Sequence, residues 1–103
     1  MLYVVAWPVL AEADETALRR LRAQYHPREA DLIGPHFTLV FGAPADREAA
    51  LRAALDDLRQ RPFWFVLERL VRHDLPPPSR GAYLYATPTD GAAELTELHE
   101  VLN

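Results

Sequence analysis

Apolar residues fall along the chain in short runs and stripes whose spacing separates strands from helices. Leu2 to Trp7 is a continuous apolar run stopped by Pro8, and its length, valines and aromatics predict a buried strand. Leu18, Leu21 and Tyr25 then recur at helical spacing with Arg19, Arg20 and Arg22 on the exposed side; Asp14 is the expected N-cap and His26-Pro27 the stop. From His36 to Gly42 the period changes to two. Phe37, Leu39 and Phe41 point to one face, and His36, Thr38 and Val40 to the other. Pro44 and Asp46 open a second helix whose apolar stripe is Ala50, Leu51, Ala54, Leu55 and Leu58.

Phe63 to Val71 is aromatic, branched and nearly continuous, which predicts a central strand buried on both faces, with Phe63, Trp64 and Phe65 in the core. Asp74 to Gly81, with Pro76, Pro77 and Pro78 together, is a rigid loop. Ala82 to Thr87 alternates again, Tyr83 and Tyr85 against Leu84 and Ala86. Thr89 or Asp90 caps a last helix carrying Leu95, Leu98 and Leu102. The order β-α-β-α-β-β-α predicts an α+β fold, a small mixed or antiparallel sheet with helices on one face. At 103 residues this is one domain, residues 1–103.

Composition narrows the function. With 50% apolar and 25% charged residues the balance is that of a globular protein, and no run approaches the roughly 18 apolar positions of a membrane span. The N-terminus lacks a basic region and meets Pro8 in place of a cleavage site, so a cytoplasmic location is expected. The absence of cysteine excludes disulfides and thiolate metal sites. A net charge of −4 argues against neutralising many duplex phosphates, but leaves room for a local phosphate site. Every basic residue is arginine, which suits bidentate phosphate contacts, although a GC-rich coding bias is the simpler explanation. No histidine or acidic cluster has metal-ligand spacing and no glycine-rich phosphate loop exists, so no cofactor or metal is expected.

The informative stretch is Gly34-Pro-His-Phe-Thr-Leu-Val-Phe-Gly42. A period of two sets His36 and Thr38 side by side. The imidazole exchanges a proton near neutral pH, and the hydroxyl two residues on can donate to an oxygen held beside it, a pair that suits a phosphoryl group. Preceded by the Tyr3-Val-Val-Ala-Trp7 strand and a capped helix, the string Ile33 to Gly42 resembles the first motif of the 2H phosphoesterases and of their bacterial 2′,5′ RNA ligase-like branch. Tyr83 to His99 is similar to the strand and helix which that family places before its second motif, so the resemblance covers the whole chain.

The resemblance implies a two-lobed fold with a cleft, each lobe giving one His-x-Thr/Ser strand, and metal-free action on 2′,3′-cyclic phosphates or related RNA-end phosphodiesters. One histidine activates water or a 2′-hydroxyl, the other protonates the departing oxygen, and the two hydroxyls steady the non-bridging oxygens. His36 and Thr38 match the first motif. His26, His73 and His99 are followed by Pro-Arg, Asp-Leu and Glu-Val, so none supplies a second, and the chain is expected to be the N-terminal portion of the family fold. The second histidine is then expected from another segment or from a second copy in a homodimer. The other reading is a non-catalytic nucleotide- or RNA-binding or oligomerisation module of that fold.

Three further residues are candidate substrate contacts. Tyr83 and Tyr85 share a strand face on which a base can stack, though half-buried packing is the commoner role, and Arg80 can reach a phosphate from the proline loop. His73 and Asp74 are adjacent, point to opposite faces and form no dyad. His99 reads as an exposed helix residue and His26 as a favourable helix C-terminus.

Overall fold

The computed structural model describes every residue except Arg80. Its elements are β1 (Leu2–Ala6), α1 (Glu12–Tyr25), α2 (Pro27–Leu32), β2 (Phe37–Ala43), a single 3₁₀ turn (Ala45–Arg47), α3 (Glu48–Asp56), β3 (Leu67–Asp74), β4 (Ala82–Pro88) and α4 (Ala92–Leu102). The α+β class expected from the pattern is the one observed. The strands form two separate two-stranded antiparallel sheets, β1-β2 and β3-β4, where one small sheet was expected. The chain divides into two compact units, Met1–Ala53 and Ala54–Asn103. No helix among the described residues is long and apolar enough to cross a membrane.

In the first unit, α1 begins after Ala11, which makes no side-chain cap. Asp14 is therefore not the N-cap: it lies in the first turn with Glu12 and Glu15, where carboxylates complement the positive end of the helix dipole. His26 closes α1, its N–H bonding the Arg22 carbonyl. Pro27, whose fixed φ suits a first helical position, starts a six-residue helix that the apolar pattern did not reveal.

The β1-β2 register pairs Leu2 with Ala43, Val4 with Val40, Val5 with Thr38 and Ala6 with Phe37. Between the Thr38 and Val40 pairs β2 carries one extra residue, Leu39, and such a bulge reverses which face the following residues occupy. Strict alternation therefore fails beyond Thr38. Leu39 and Val40 are both buried, while Phe41, expected on the inner face, is 80% exposed and packs edge-on against Tyr3. A second irregularity lies between Val40 and Ala43, at Gly42 with φ +70°. A Cβ there would approach only the flexible end of Met1, at 3.2 Å. Gly42→Ala is therefore expected to cost only the left-handed backbone term, about 1–2 kcal/mol, read by thermal denaturation.

Of the predicted α3 stripe only Leu51 is buried; Leu58 lies beyond the helix, its N–H bonding the Leu55 carbonyl. In the second unit, β3 starts four residues later than the apolar run suggests and is exposed along nearly its whole length, so it is not a strand buried on both faces. Trp64, expected in the core, is 92% exposed, whereas its neighbours Phe63 and Phe65 are half-buried. That segment is held instead by the turn before α4, through Val66 N–H to Asp90 O (3.1 Å) and Thr89 N–H to Val66 O (2.9 Å). Helix α4 is capped by Gly91 in the left-handed conformation and not by a Thr89 or Asp90 side chain.

Candidate functional site

The site is built where β2 begins. The register ends at Ala6 opposite Phe37; carried one residue further, it sets Trp7 opposite His36, just as Val5 is opposite Thr38. Val5, Trp7, His36 and Thr38 thus share one face of the β1-β2 pair. Thr38 is exposed and His36 half-buried.

His36 is held by its own segment. Its Nδ1 lies 2.8 Å from the Gly34 carbonyl oxygen. A carbonyl can only accept, so Nδ1 carries a proton and donates it to Gly34, which fixes the ring orientation and leaves Nε2 as the nitrogen outside that bond. The Trp7 indole meets the imidazole edge-on, with ring centroids 6.0 Å apart at 62°. Gly34 itself is packed: a Cβ there would lie 3.4 Å from the Arg19 guanidinium and 3.7 Å from the Trp7 ring.

The segment carrying Gly34 and His36 is tied to α1 by Arg22, whose guanidinium donates to the Ile33 carbonyl and, at 3.5 Å, to the Glu29 carbonyl. Both carbonyls lie at the C-terminal end of α2, where the Glu29 oxygen also accepts from the Ile33 N–H at 3.0 Å. Arg22 is thus half-buried and tethering, not on the exposed side of α1 as its spacing implied. Arg19 pairs with Glu15 at 3.0 Å on the surface.

The remaining candidates lie in the second unit. Tyr83 and Tyr85 share a face of β4 with ring centroids 5.9 Å apart, and are 40% and 50% exposed. His73 stands opposite Tyr83 in the β3-β4 register, and Asp74 pairs with Arg72 at 2.8 Å and not with His73. Arg80 lies outside the described residues. His99 is exposed near the end of α4, its Nδ1 3.1 Å from the Asn103 amide. A cleft of about 530 Å³ between the 57–61 segment and Glu97, Leu98 and Val101 contains none of the predicted site residues. Among the described residues no group of three histidines or acids is placed to hold a metal ion.

A protein-family model described as the 2′-5′ RNA ligase superfamily matches residues 8–103. The chain belongs to the 2′-5′ RNA ligase superfamily. Membership agrees with the 2H phosphoesterase resemblance carried by Ile33 to Gly42, and the match spans both units. No curated protein and no solved structure is significantly similar to the chain. In this superfamily member, the residues that the motif alone did not disclose are Trp7, Gly34 and Arg22. Only strand pairing reveals Trp7 as a neighbour of His36, and only the turn after α2 brings Arg22 to Ile33.

Proposed function

We propose that the chain supplies one acid–base half of a metal-independent phosphoesterase acting on 2′,3′-cyclic phosphates or related RNA-end phosphodiesters. The observation that carries this reading is the His36 ring, its Nδ1–H given to Gly34, on the same strand face as Thr38, in a chain whose residues 8–103 match the superfamily. In hydrolysis, Nε2 takes a proton from water as the water oxygen bonds to phosphorus. The phosphorus–oxygen bond to the ribose breaks, and a second histidine protonates the departing oxygen. The Thr38 hydroxyl donates to a non-bridging oxygen as its charge grows.

The second histidine comes from outside these 103 residues, on the same polypeptide or on a second copy, because no other histidine here precedes x-Thr or x-Ser. Tyr83, Tyr85 and Arg80 are proposed contacts to the RNA strand. The lone motif also favours a second reading, a nucleotide-binding module without turnover.

The test is release of phosphomonoester from a 2′,3′-cyclic mononucleotide by the purified chain with EDTA present. Weak turnover that rises more steeply than linearly with protein concentration is the expected result where a second copy supplies the partner histidine; none at any concentration would leave the chain one half of a site or a binding module. Thr38→Val keeps the strand shape at an exposed position and removes one hydrogen bond to a charged group. It is expected to slow turnover on the order of tenfold to a hundredfold, with the melting curve unchanged.

A further inference from the structure

The chain has two tryptophans, and both are largely exposed, Trp7 at 61% and Trp64 at 92%. Tryptophan is highly buried on average, so an indole left open calls for a reason. The two differ in their surroundings. Trp7 stands against the His36 imidazole, anchored by one edge, and its ring also covers Gly34, whose carbonyl holds that imidazole. Pro8 follows at once and turns the chain out of the strand, so the indole ends the β1 side of the face that bears His36 and Thr38.

We infer that Trp7 is the base-binding residue of this site: the nucleobase of the nucleotide whose phosphate lies at His36 and Thr38 stacks on the open part of the indole. This rests on the phosphoesterase reading, and adds that the substrate is recognised as a nucleoside phosphate and not as a phosphodiester alone. An indole suits the task because stacking accepts every base and needs no hydrogen bond. Gly34 lies at the junction: a Cβ there would meet the indole at 3.7 Å and the Arg19 guanidinium at 3.4 Å, and its carbonyl holds the imidazole.

The indole is its own reporter. In a Trp64→Phe background, which removes the other, more exposed tryptophan, Trp7 emission is expected to be quenched saturably by adenosine 2′-monophosphate and by 2′,3′-cyclic AMP, and not by inorganic phosphate. Trp7→Leu is expected to weaken adenosine 2′-monophosphate binding about tenfold or more, with its kinetic loss falling on KM. Absence of quenching, whether or not the nucleotide is hydrolysed, overturns the inference. So does a Trp7→Leu variant that loses kcat with KM unchanged, which would make the indole packing support for His36. Quenching without turnover would uphold the base site and defeat the catalytic reading; turnover without quenching would do the reverse. The quenching arm uses the native indole, so it stands even if Trp7→Leu folds poorly.

Discussion

Replacing His36 with alanine is expected to lower turnover of a 2′,3′-cyclic nucleotide by about 10²- to 10⁴-fold, the usual consequence of removing a positioned acid or base. The expectation follows from how the ring is set. Gly34 fixes the proton on Nδ1, Arg22 holds the Ile33 carbonyl one residue before Gly34, and the β1-β2 register places Thr38 on the same face. Alanine removes the proton-exchanging nitrogen and leaves that frame in place, because the imidazole is only half-buried and closes no core. The melting curve should hardly move while activity disappears. A variant that kept its activity would show that the proton is handled elsewhere.

Gly91→Ala is expected to act in the opposite way, on stability. Gly91 caps α4 at φ +86°, a conformation that costs other residues about 1–3 kcal/mol. An added Cβ would also lie 2.7 Å from Phe65 Cβ, 2.8 Å from the Trp64 carbonyl oxygen and 3.0 Å from Phe65 Cα. Two of these three atoms are backbone, in a segment pinned through Val66 to Thr89 and Asp90, so relaxation means breaking those bonds or lifting the chain. Together the terms amount to roughly 3 kcal/mol or more, a fall of roughly 10 °C or more in the thermal midpoint. The contrast with Gly42 lies in what a Cβ would meet: flexible Met1 there, backbone here.

The strand with the candidate pair was the most legible part of the sequence, because its period of two begins before the bulge and His36 and Thr38 precede the extra residue. Beyond Leu39 the same rule put Phe41 inside and Val40 outside, and both are reversed, since a bulge is a property of two strands and leaves no mark on one. The β3 boundary was missed for a related reason. A continuous apolar run has no period to read, and the strand is placed by its pairing with β4, where the loop closed by Leu75 N–H to Gly81 O sets Asp74 opposite Ala82. Strand β3 thereby takes in the polar Arg72-His73-Asp74 and leaves Phe63 to Phe65 outside it. Helix α2 was hidden because its six residues, Pro-Arg-Glu-Ala-Asp-Leu, are too few and too polar to show a stripe.

Candidate site residues sort along the same line. The His-x-Thr pair is local and was readable, and the superfamily match agrees with the resemblance drawn from it. Trp7 is 29 positions from His36 in sequence and becomes its neighbour only through antiparallel pairing. Arg22 looked like one more solvated arginine until the chain turned back at Pro27 and brought the Ile33 and Glu29 carbonyls to it.

The most direct test of the central claim is nitrogen NMR of the histidine rings in the ¹⁵N-labelled chain, titrated with adenosine 2′-monophosphate. The expected result is a His36 ring with Nδ1 protonated in the free protein and an Nε2 signal that moves saturably with ligand, while the signals of His26, His73 and His99 stay in place. An His36 signal that ignores the nucleotide, or a response centred on another histidine, would contradict it.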